Sequence, residues 1–120
     1  IVHAQSSRGD TSYTTLTATR DGVKRRAAEF SALTRAYAET LQWVVSHSGE
    51  ELAATVAPYF AQVEMADLVT ALARYKAAGL WATEPAISRK GFDRLAVSLQ
   101  SGGFIATIPP FDDCVVEIPA

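Results

Sequence analysis

The chain has 120 residues, enough for one domain and no more, and its 48% hydrophobic and 20% charged content fits a folded globular chain rather than a disordered one. A net charge of −2, from 11 basic and 13 acidic residues, argues against a nucleic-acid partner, because phosphates need a basic surface, and apolar runs of a few residues leave nothing to insert into a membrane. The single cysteine, Cys114, excludes an internal disulfide.

Residue 1 is Ile, not Met, and no charged start followed by an apolar segment is visible. The expectation is a piece of a longer protein, or one whose leader was removed. Residues 1–4 are a short β-compatible run. Residues 5–11 (QSSRGDT) form a polar loop with Gly9 as its turn residue. Arg8-Gly9-Asp10 spells an integrin-binding tripeptide, but three residues match by chance often, and a charged loop tip is the plainer reading. Residues 12–19 (SYTTLTAT), rich in Thr and Tyr, alternate enough to predict a strand. Residues 20–26 (RDGVKRR) make a charged connector, in which Asp21 is placed to cap a helical turn. Its Lys24, Arg25 and Arg26 suit an anion or, more plainly, a solvated surface.

The best-defined stretch is residues 27–47. Phe30, Leu33, Tyr37, Leu41, Val44 and Val45 recur at helical spacing, and at about 100° per residue they form one stripe. Trp43 lies off that stripe, which predicts a helix covered on two sides. Ser48 and Glu51 form an S-x-x-E capping box that starts a second helix, with Leu52, Val56, Tyr59 and Phe60 as its apolar side. Pro58 ends or kinks it near Ala57, because proline cannot donate the helix hydrogen bond. A third helix is predicted over 64–78, with Met65, Leu68, Val69, Leu72 and Tyr75 inward and Glu64 and Asp67 at its positive end. Gly79 is its C-terminal cap, with Leu80 folding back. Ser88 caps a fourth helix through about Gln100, with Phe92, Leu95, Ala96 and Leu99 inward, and Gly102-Gly103 stops it. Residues 111–116 make a last helical turn. The string is therefore mainly α with one or two N-terminal strands, and two strands alone make no stable sheet.

Chemistry-bearing groups are scattered. His3 and His47 lack the spacing of a helical metal pair. Cys114 sits beside Asp112 and Asp113, which oppose a thiolate. Asp112, Asp113 and Glu117 read as a solvated C-terminal turn rather than a carboxylate cluster. No phosphate loop and no G-x-S-x-G elbow is present, so no enzyme, metal or cofactor is expected.

Taken in order, residues 13–16 (YTTL), 30–44 (FSALTRAYAETLQWV), 48–60 (SGEELAATVAPYF), 72–82 (LARYKAAGLWA), 91–105 (GFDRLAVSLQSGGFI) and 111–115 (FDDCV) resemble the C-terminal part of one family. It is the family of substrate-binding proteins of ABC importers, in the branch that binds nitrate, sulfonates, taurine and thiamine-pyrimidine precursors. The resemblance implies a C-terminal fragment of an α/β type II periplasmic-binding fold, in which two lobes close over a ligand. Residues 1–19 would then be strands and a crossing segment, and residues 20–120 the helical part of one incomplete lobe. It further implies a periplasmic solute-binding role for a small organic or oxyanion nutrient, with an ABC permease as partner. Tyr13 would meet the ligand at the cleft, with Thr14 second, unless both only pack against neighbouring strands. Trp43 and Trp81 suit ligand stacking too, although packing is the plainer role, for Trp81 over the end of the third helix. The missing lobe leaves apolar surface and strand edges to cover, so a homo-oligomer is expected. The alternative is a stand-alone helical interaction module that oligomerises and binds no ligand. Pyridoxal-phosphate pyrimidine synthases resemble the same family, but Lys24, Lys76 and Lys90 all sit in charged or exposed contexts, which disfavours that third reading.

Overall fold

The computed structural model describes residues 11–12 and 14–119. They build six α-helices: α1 (Arg20–Arg25), α2 (Ala27–Ser46), α3 (Gly49–Val56), α4 (Met65–Ala77), α5 (Arg89–Ser101) and α6 (Phe111–Cys114), with a 3-10 turn at Ala57–Tyr59 after α3. Helix accounts for 62% of the described residues and none of them is in a strand, so the fold is all-α.

That overturns the expected N-terminal strand and the α/β periplasmic-binding frame. Residues 1–4 and Tyr13 lie outside the described residues. The rest of 12–19 forms no ladder: residues 14–19 are exposed coil, and Thr19 is committed to α1, where its hydroxyl accepts from the Gly22 N–H at 3.0 Å. A Thr-rich run suits a half-buried pleated surface only where another strand lies beside it, and none does among the described residues. Thr19, not Asp21, is therefore the cap, and Asp21 sits in the first turn, paired with Arg25 at 3.3 Å.

The chain divides into two compact units, Arg35–Pro85 and the remainder, with the division falling inside α2. In the unit Arg35–Pro85, α3 packs on α4. The capping box at the start of α3 is complete: Ser48 Oγ accepts from the Glu51 N–H at 3.2 Å, and the Ser48 N–H donates to the Glu51 carboxylate at 2.8 Å. The backbone N–H and the hydroxyl of Ser48 hold the Glu51 carboxyl below the usual carboxylate range. Gly49 allows the close approach that follows, since a Cβ there would lie 2.9 Å from the Ala73 Cβ and 3.1 Å from its backbone N. Leu41, Leu52, Ala53 and Leu68 are buried. Pro58 ends α3 as expected, the helix stopping at Val56. Gly79, at φ 62°, ends α4 in the left-handed region, and the Leu80 N–H returns to the Tyr75 carbonyl at 3.0 Å. The Lys76 ammonium donates to the His47 carbonyl, and the Gln42 amide to the Thr83 carbonyl at 2.9 Å.

In the other unit, Ser88 caps α5 by accepting from the Gly91 N–H at 3.0 Å, and Gly91 and Ala96 are buried. The Ser12 N–H donates to the Gly91 carbonyl at 3.3 Å, and a Cβ on Gly91 would meet Ser12 Oγ at 2.6 Å. Phe92 and Phe111 meet edge to face with centroids 5.3 Å apart. The Arg89 guanidinium lies 4.3 Å from the Phe111 ring centroid and 2.9 Å from the Asp112 carboxylate. Arg20 donates to the Asp113 carbonyl.

The apolar stripes are less covered than their periodicity suggests. On α2 only Leu41 is buried, while Leu33, Tyr37 and Val45 are exposed. Tyr59, Phe60, Met65 and Tyr75, expected inward, are exposed too. Periodicity says which side of a helix is apolar and not whether anything lies against it. Within the helices, Thr34, Thr40, Thr55, Thr70 and Ser98 each donate a hydroxyl to the carbonyl four residues earlier.

Candidate functional site

Of the two expected ligand-binding residues, Tyr13 lies outside the described residues and Thr14 is an exposed bend residue. Trp43 is half-buried, and its ring stacks on His47 with centroids 4.3 Å apart and planes 26° apart. His47 Nδ1 lies 2.8 Å from the Trp43 carbonyl, and because a carbonyl only accepts, Nδ1 carries the proton. Trp81 meets Tyr75 edge-on at 6.0 Å, over the last turn of α4, where packing was expected. Cys114 is exposed, and the acidic residues near it are divided, with Asp112 on Arg89. His3 lies outside the described residues. Among the described residues no group of three His, Cys, Asp or Glu is placed to hold a metal.

What the chain presents instead are two exposed surfaces that differ in charge. The first occupies residues 59–67 in the unit Arg35–Pro85. Pro58 breaks the helix, the Phe60 N–H donates to the Ala57 carbonyl at 3.0 Å, and the Val63 N–H donates to the Phe60 carbonyl at 2.9 Å. This double turn pushes Tyr59 (83% exposed), Phe60, Val63 and Met65 into water at the start of α4. Glu64 caps α4 through its backbone alone, so its carboxylate, like that of Asp67, stays at the surface. Periodicity missed this knuckle because it assigned Tyr59, Phe60 and Met65 to inward stripes. The available signal was Pro58, after which helical spacing no longer applies.

The second is a nearly flat, open surface on α5, lined by Arg89, Lys90, Asp93, Arg94, Val97 and Ser98. Three cations against one carboxylate leave it positive, and half-exposed Val97 gives it an apolar patch. The α5 surface is too open to enclose a small molecule, which normally loses most of its surface to an enclosing cleft. A smaller depression on α2 is lined by Ala36, Glu39, Thr40 and Trp43.

No family model, curated protein or solved structure matches this chain.

Proposed function

We propose that this chain is a helical self-association module that covers its apolar surface with other copies of itself. One observation carries the proposal. Among the described residues five hydrophobic side chains are buried, whereas thirteen large ones are exposed. Burying a Leu, Phe or Met side chain contributes roughly 1.5–3 kcal/mol, so association has a large reserve of surface to draw on. The importer reading depended on a sheet to carry the crossing strand and cleft, and the described residues form none. Association needs no such frame.

The test is mass and thermal stability measured together across micromolar concentrations. A self-associating chain gains mass and melts higher as concentration rises, because assembly binds only the folded state. A monomer whose midpoint ignores concentration, yet rises with nitrate, a sulfonate, a pyrimidine or an aromatic acid, would overturn the proposal in favour of solute binding.

A further inference from the structure

We draw no further inference here: the strongest candidate, the exposed apolar turn leading into α4 at residues 59–67, with Tyr59, Phe60, Val63 and Met65 in water beside Glu64 and Asp67, carries nothing because nothing in the structure shows what covers it.

Discussion

In the unit Arg35–Pro85, Leu41, Leu52, Ala53 and Leu68 are shut away from water, and Gly49 brings α3 close to Ala73. Among the described residues of the other unit only Gly91 and Ala96 are buried, and its ties are of another kind: a cation over a ring, an exposed ion pair, a guanidinium on a carbonyl. The first unit resists through close-packed aliphatic groups, where volume matters. The second relies more on charged contacts at the surface, which salt screens. A substitution of the same size should therefore cost very different amounts in the two.

The sharpest break is Leu52→Ala. Leu52 is 4% exposed, and its truncation should cost about 2–5 kcal/mol, seen as a lower urea midpoint. Gly49→Val should follow at about 1–3 kcal/mol, because the new side chain meets the Ala73 backbone as well as its Cβ. Ser48→Ala removes the cap on α3 and should cost about 1 kcal/mol. Acid probes the same box. The folded-state pKa of Glu51 lies below its unfolded value, so its contribution is present above the ordinary carboxylate pKa and is lost as pH falls through the folded one. Urea midpoints for Glu51→Gln should accordingly show a shallower decline in acid than wild type. The smallest effect belongs to the other unit: Arg89→Met, which removes an exposed pair but keeps an apolar stem over Phe111, should cost less than about 1 kcal/mol and less still in salt. Equal losses for Arg89→Met and Leu52→Ala would erase the contrast between the units.

The parts of this fold legible in the sequence are those set by local chemistry. Ser48 and Glu51 satisfy each other's backbone N–H, Pro58 cannot donate, Gly79 adopts a positive φ, and Ser88 caps α5; each acts within a few residues. The misread parts depend on groups far along the chain. Residues 12–19 have strand composition but no strand beside them, and the stripe on α2 is apolar at Leu33, Tyr37 and Val45 with little laid against it. The candidate site shares that limit. Trp43, off the stripe, stacks on His47 four residues later, a neighbour that apolar periodicity does not reveal. The knuckle was hidden by the same periodicity that found the helices, because Tyr59 and Phe60 keep the spacing after Pro58 has ended the geometry.

The hydroxyls of Thr34, Thr40, Thr55, Thr70 and Ser98, turned back onto their own helices, have a consequence for how the molecule meets its solvent. Each is counted as polar, yet its proton is already engaged, and the threonines turn a methyl group elsewhere. Such helices hydrate less than their composition advertises and bend slightly where the extra bond pulls on a carbonyl. Replacing one of these threonines with valine should change the wetting of the helix very little, whereas lysine at the same position should keep the chain dispersed when it is concentrated.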